Sequence, residues 1–313
     1  MVVREMMLGL REEFHVAECP ACATLNLLDV PENLSPYYPS DEYYSFDESP
    51  LRDLGRLSRR TAVKTMWRAV QSRQTARFRR ILGRLPDRRL IGVIDMMEAV
   101  YVSGVPLQGC KLLDVGSGIG VSTLILSQLG AKAVGIDPFG VSWKQERAEQ
   151  RICEIADVTG EWDVILFQHS LEHLADPLAA LKAAKSMLTT DGRVIVRIPA
   201  ADSYARRTYG ANWVDLDAPR HLFVPTREGL RQLGVRAGLA LTNCYDDARD
   251  IQFWGSEQYA RDVPLYDDAS AIWPKQNLFT PSQMKHWASE TDRLNRVSEG
   301  DLITAIFRAE DFR

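Results

Sequence analysis

The sequence predicts an α/β fold built on a seven-stranded, mostly parallel sheet whose last strand runs antiparallel at the edge. Three observations carry that expectation. From Lys111 onward, short apolar runs of strand character alternate with helical segments, the pattern of a parallel sheet covered by helices. The first of these strands, Lys111-Leu112-Leu113-Asp114-Val115, passes into its helix through Gly116, Gly118 and Gly120, residues free to take the sharp backbone such a corner requires. The last run, Leu302 to Phe307, has the composition of a buried strand and follows a long excursion.

Bulk properties set the frame. A chain of 313 residues exceeds the usual single-domain length, so one large domain with appendages, or two domains, is expected. The fractions of 45% hydrophobic and 26% charged residues are those of an ordinary globular protein, and a net charge of -4 gives no general attraction to nucleic acid or membrane. No apolar run approaches the roughly 20 residues needed to span a bilayer. The first residues lack the pattern of a signal peptide. Five scattered cysteines fit a reducing compartment, so a cytoplasmic location is expected.

Residues 1–50 read as an irregular segment. Cys19-Pro20-Ala21-Cys22 has the spacing of half a zinc ribbon, with His15 nearby. No second C-x-x-C exists, so the knuckle is read as degenerate and metal-free. Between Tyr37 and Phe46 lie five aromatic residues, including Tyr44, whose rings need a surface to pack on. They are expected to drape over the main domain near an acceptor.

Residues 51–104 read as a helical cap. The stretch 52–89 holds thirteen Lys/Arg against Asp53 and Asp87, while Val63, Trp67, Val70, Phe78, Ile81 and Leu85 fall near helical spacing. Two readings stay open: a face that binds an anionic partner, or a solvated basic face whose apolar side caps the neighbouring domain, the latter being favoured. An apolar helix over 90–102 follows, and Gly104-Val105-Pro106 breaks it.

Residues 105–313 form the main domain. Helix one covers 119–129. Strand two is Ala133 to Asp137, stopped by Pro138; its terminal acid lies 23 residues after Asp114, near the spacing at which a carboxylate receives a ribose diol. Arg151-Ile152-Cys153 is a short third strand and Asp163 to Gln168 the fourth. Asp176-Pro177 starts a helix with an N-cap acid and a first-turn proline. Asp191-Gly192 turns into strand five, Arg193 to Ile198. Residues 200–225 and 246–300 are insertions on the acceptor side, the second also a candidate contact for a homodimer. Between them come a helix from Thr226 to Gly238 and strand six, Leu239 to Tyr245.

Two motif readings fall away on local structure. A dinucleotide loop G-x-G-x-x-G would need glycine where Val121 stands. His169-Ser170-Leu171-Glu172-His173 has the spacing of an inverted zinc-protease motif, but it follows directly on a strand, whereas that motif needs one continuous helix.

The loop Asp114-Val115-Gly116-Ser117-Gly118-Ile119-Gly120, then Ile136-Asp137-Pro138, Ser170-Leu171-Glu172-His173, Asp176-Pro177 and Asp191-Gly192 resemble, in order and distance, the class I S-adenosylmethionine-dependent methyltransferases, a Rossmann-like family, and most of all its ubiquinone-pathway branch. Asn212 to Phe223, the tyrosine-rich segment and Gln252 to Tyr259 resemble a bacterial subgroup associated with polysaccharide or other glycan biosynthesis. The resemblance implies methylation of an oxygen on a sugar or glycan-linked small molecule, with S-adenosylmethionine converted to S-adenosylhomocysteine. It implies that Asp114, Gly116, Ser117, Gly118, Gly120, Asp137, Pro138, Gln168 and His169 surround that cofactor. A hydroxyl acceptor gains from a base near neutral pKa, for which His169 and then His221 are the candidates. Arg220, Trp213 and Tyr44 are expected on the acceptor, Arg220 gripping an anionic group. In ubiquinone-pathway relatives, acids in the 169–173 loop have been linked to a divalent ion. His169 replaces the first of them, so no metal is expected here. The alternative function is a binding module that keeps the fold but uses the basic 52–89 stretch on an anionic partner; nucleic acid is the disfavoured choice.

Overall fold

The computed structural model describes residues 1–39, 57–72, 89–267, 270 and 278–310. The basic residues 73–88, Tyr44 and Trp273 therefore lie outside the described residues. In chain order the strands are β1 (Val2–Arg4), β2 (Glu13–Glu18), β3 (Leu25–Leu27), β4 (Lys111–Val115), β5 (Lys132–Ile136), β6 (Trp143–Lys144), β7 (Ala148–Arg151), β8 (Trp162–Gln168), β9 (Leu188–Pro199), β10 (Phe223–Val224), β11 (Leu239–Asp246) and β12 (Leu302–Ala309). The helices used below are α1 (Leu57–Gln71), α2 (Arg89–Val102), α3 (Val121–Gln128), α4 (Pro177–Ser186), α5 (Tyr204–Tyr209), α6 (Arg227–Arg236), α7 (Ile251–Ala260) and α8 (Pro281–Arg296).

The main sheet has the order β11-β12-β9-β8-β4-β5-β7-β6. Strands β4, β5, β7, β8 and β9 are parallel, and β12 is antiparallel to both β9 and β11. Seven of the eight strands are those the alternation predicts, but the last of them, β12, is not at the edge as expected: it is inserted between β9 and β11, and β11 holds the edge. The additional one, β6, pairs antiparallel with β7 at the edge. Residues 137–147 thus cross from β5 to β7 through a small hairpin where a parallel pair normally uses a helix. The third strand also starts earlier than expected, at Ala148 instead of Arg151. Ala148 and Gln150 point inward, whereas Ile152 is 58% exposed. Asp191-Gly192 does not end a turn but sits inside β9, where the pairing with β8 slips between Trp162 and Val164.

Strand β4 has β8 on one side and β5 on the other, so the chain leaves it in opposite directions along the sheet. This is the switch point at which open α/β sheets form a crevice beyond their strand ends. The faces are closed by two cores. One gathers Val63, Met66 and Val70 of α1 with Met97, Val100, Leu112, Leu124 and Val164. The other gathers Leu113, Ile165, Leu181, Val196 and Leu230. Over residues 61–71 the basic helix therefore caps the sheet with its apolar side. Local signals start the helices as expected: Asp176 accepts from Ala179 N–H with Pro177 behind it, and Thr226 accepts from Gly229 N–H.

The irregular reading of residues 1–50 needs correction for its first half. Alternating inward residues Phe14, Val16, Leu25 and Leu27 build an antiparallel sheet of order β1-β2-β3-β10. Its fourth strand comes from the insertion after β9, with Phe223 opposite Asn26. Behind this sheet lies a third core holding Trp213, Trp254 and Trp287. Trp254 and Trp287, from the insertion expected on the acceptor side, thus fill the interior. Among the described residues no helix is long and apolar enough to cross a membrane.

Candidate active site

The crevice is built at the carboxyl ends of β4, β5, β8 and β9. After β4, Gly116, Gly118 and Gly120 all take positive φ, at 71°, 57° and 86°. At Gly116 a side chain is doubly excluded, because a Cβ would lie 2.3 Å from that of Ser170. Ser170 in turn donates its hydroxyl to Val115 O at 2.6 Å, which ties the β8 loop onto the glycine loop. Asp137, at the tip of β5, accepts from Gly118 N–H (2.9 Å) and Phe139 N–H (2.8 Å), so one carboxylate fixes both rims. The β6–β7 hairpin supports the loop from below: Gln150 Nε2 donates to Ser117 Oγ and Gly118 O, and Trp143 Nε1 to Ile119 O. Phe139 follows the D-P pair and stands 80% exposed at the rim. The sequence reading passed over it, though an aromatic directly after a strand-ending acid was the available signal.

Asp114 is buried beneath the loop, and its Oδ2 accepts the Thr123 hydroxyl at 3.0 Å. Burial, with Asp137 as a smaller contribution, pushes its pKa up to about 7. The folded state thus keeps a proton that the unfolded chain releases near pH 4, so stability falls as pH rises from about 4 to about 7 and levels beyond. Asp114→Asn should remove this residue's share of the slope, roughly 3 kcal/mol between pH 5 and pH 8, leaving the part due to Glu172, whose buried carboxyl is likewise pushed up, to about 8. Urea unfolding at pH 5 and pH 8 measures it; an unchanged slope would refute the assignment.

At the end of β8, Gln168 leaves Oε1 buried and without a hydrogen-bond partner. His169 follows with φ of 52°. Its Nε2 accepts from Arg197 Nη1 at 2.5 Å, and its Nδ1 lies 3.5 Å from Glu172 Oε1. Desolvation, then the charges of Arg197 and Arg249, hold its pKa well below the ordinary imidazole value. With 36% of the side chain still exposed, the two cations are the firmer cause. The ring is neutral, but its lone pair is already engaged. Arg197 is itself 1% exposed and also meets Asp247 Oδ2 at 2.6 Å and Asp95 Oδ2 at 3.3 Å.

Two acceptor assignments are corrected. Arg220 is fully buried and its guanidinium is taken by Asp217, by Glu5 Oε1 at 2.9 Å and by Tyr37 O, so it clamps the N-terminal sheet and has no group left for an anionic acceptor. Trp213 is 1% exposed and donates Nε1 to Asp301 Oδ2 at 2.9 Å, a core residue. Its neighbour His221 does reach the site. Its Nδ1 bonds Asp215 O at 2.8 Å, and its Nε2 lies 3.9 Å from Glu172 Oε1 and 3.8 Å from Asp217 Oδ2. His173 packs edge-on against it, ring centroids 4.8 Å apart.

A family model described as a methyltransferase domain matches residues 66–243. The chain belongs to that family. That family is the class I, S-adenosylmethionine-dependent one, and about a third of the chain is similar to ubiquinone-pathway enzymes. The ubiquinone biosynthesis O-methyltransferase of Cereibacter sphaeroides is 34% identical over 126 residues, 35% of this chain and 50% of that protein. The mitochondrial enzyme of the same name from Homo sapiens is 30% identical over 109 residues, 30% of each. The chain spans about half the length or less of the curated relatives it matches. Among solved structures, the 1,6-didemethyltoxoflavin-N1-methyltransferase of Burkholderia thailandensis is 14% identical, with 95% of this chain and 99% of that one covered at a TM-score of 0.46.

The residues present fit S-adenosylmethionine. Three positive-φ glycines bare a backbone cradle beside the Asp137 carboxylate, and the unpartnered Gln168 Oε1 waits at the strand tip where that ligand would end.

Proposed function

We propose that this protein transfers a methyl group from S-adenosylmethionine to a hydroxyl of a small polar acceptor in the cytoplasm. The observation that carries the reading is the joined rim, in which the Asp137 carboxylate, the glycine loop and the 169–173 loop meet at the sheet's switch point. When bound, the cofactor supplies an already activated methyl on a positive sulfur. The chain's own residues then have to place and shield the two partners. Asp137 keeps lone pairs for a ribose diol, Gly116 to Gly120 admit the amino-acid end, and Phe139 offers an open aromatic face to a purine.

On the acceptor side, His169, Arg197, Glu172, His173 and His221 form one contiguous polar cluster. Such a wall favours a hydroxyl-rich acceptor over an apolar one, in keeping with a sugar or glycan-linked molecule. Because Arg197 takes the His169 lone pair, the acceptor proton is assigned to the Glu172–His173–His221 group, and His169 serves as a positioning residue. His221→Ala should lower turnover about 100-fold or more while S-adenosylmethionine affinity changes less than about threefold. His169→Ala should cost less, and a larger loss in His169→Ala than in His221→Ala would return the base to His169. Methyl transfer from labelled cofactor across a panel of sugars, nucleotide sugars and quinols reads both variants; transfer to quinols alone would refute the polar acceptor.

A further inference from the structure

We propose that the main sheet carries a second binding site at its amino-terminal side, for a small phosphorylated molecule of the nucleoside diphosphate class. A crevice of about 440 Å³ opens there, lined by Gln108 just before β4, Gly130 just before β5 and Arg147 just before β7. The glycine loop lies at the opposite ends of these strands, so the two sites are separate. The remaining wall is α1. Its Val63, Met66 and Val70 turn inward to cap the sheet. Lys64, Trp67, Arg68 and Gln71, spaced i, i+3, i+4 and i+7, form the neighbouring stripe and line the crevice. Capping and anion binding thus use different faces of one helix.

The charge of this crevice sets it apart. Lys64, Arg68 and Arg147 line it together with no carboxylate among its walls, in a chain whose net charge is -4. Among the described residues, none of these three side chains has an ion pair or a hydrogen bond. Other cations of the β6–β7 region are matched, since Lys144 and Arg151 both meet Glu149. Lys64 and Arg68 stand one helical turn apart, a like-charge pair whose repulsion an anion would relieve. The end of α3 does not take them up. Its Leu126 and Ser127 carbonyls already accept from the N–H groups of Leu129, Gly130 and Ala131. Two guanidinium forks and an ammonium suit the oxygens of a multiply charged phosphate group. Trp67 adds a feature that a bare phosphate would leave unused. It is half-buried, its ring is set at 86° to that of Tyr101, and it gives the crevice an aromatic wall for a base. The volume lies in the range of small-ligand pockets, enough for one nucleotide.

This inference does not rest on the methyltransferase reading. The test is isothermal titration of the full chain with ADP, UDP and pyrophosphate, alone and with saturating S-adenosylhomocysteine to block the glycine-loop crevice. Each nucleotide should bind at one equivalent in the presence of S-adenosylhomocysteine, and pyrophosphate should bind about tenfold more weakly. Arg68→Gln and Arg147→Gln change exposed residues and so are safe for folding. Each should lower ADP affinity at least about tenfold. Both should leave S-adenosylhomocysteine affinity within about twofold, as expected of distant sites. Trp67→Leu should weaken ADP and spare pyrophosphate. No saturable nucleotide binding, nucleotide displaced by S-adenosylhomocysteine, or binding that survives the double Arg68→Gln/Arg147→Gln variant overturns the site. Pyrophosphate as tight as ADP overturns the nucleoside, and a single-stranded oligonucleotide tighter than ADP overturns the small ligand. A chain that binds ADP in this way but no S-adenosylhomocysteine would keep the site and lose the methyltransferase reading.

Discussion

Asp137→Ala should cost at least about 100-fold in S-adenosylmethionine affinity, because the residue does two jobs with one carboxylate. Toward the protein it accepts from Gly118 and Phe139 and so sets the distance between the rims of the crevice. Toward the ligand, in the function proposed above, it offers the remaining lone pairs to the ribose. Hydrogen bonds to a charged group are worth about 1.5–3 kcal/mol each, so losing two on the ligand side alone predicts a drop of two orders of magnitude or more. Asp137→Asn separates the jobs. The amide keeps one oxygen acceptor but replaces the other with a donor that faces an N–H, so it should bind more weakly than wild type and better than the alanine variant. Calorimetry with S-adenosylmethionine and S-adenosylhomocysteine decides it, and an unchanged Kd in Asp137→Ala would remove the cofactor assignment.

Arg220→Ala should be the most destabilising single change on the acceptor side. Removing one partner from a fully buried ion pair strands the others, at about 3–5 kcal/mol. The stranded groups here are Glu5 and Asp217. Glu5 also accepts from the N–H groups of Met7, Leu8 and Leu10, so the turn that follows β1 depends on it. The expected result is early loss of the N-terminal sheet in chemical unfolding, with S-adenosylmethionine affinity retained at low denaturant because the crevice lies at the other strand tips. Adding Glu5→Gln should recover part of the loss, since it removes one stranded charge. A wild-type unfolding midpoint in Arg220→Ala would show that the clamp carries no load.

The parallel sheet was legible because its signals are local. Apolar runs, the Gly116–Gly120 turn and the Asp176-Pro177 cap each act within a few residues, and the strand order follows from the handedness and shortness of connections. Asp137 was legible for the same reason, as an acid at a strand tip at a set distance from the loop. What depends on distant pairing was not. β1 to β3 are short and look irregular until β10 arrives from residues 223–224, and nothing near Arg220 in sequence announces Glu5 as its partner. An arginine beside a histidine reads equally well as an acceptor grip or a buried clamp, and only its 0% exposure separates them. Around His169 the sequence likewise hides a partner, since Arg197 is remote in sequence and holds the lone pair that a base would use. The hairpin at Trp143–Lys144 escaped because a polar segment at a sheet edge carries almost no periodicity.

The strand pairing between residues 25–26 and 223–224 also bears on how the protein is made. β1 to β3 leave the ribosome about 200 residues ahead of the strand that completes their sheet and of the arginine that neutralises Glu5. At translation rates of about 5–20 residues per second, the opening hairpins spend roughly 10–40 s without their closing edge. During that interval Leu25 and Leu27 sit on an open sheet edge, a template for pairing with another nascent chain. Expression conditions that slow elongation should therefore raise the aggregated fraction of this protein more than that of a domain whose first strands pair with their neighbours.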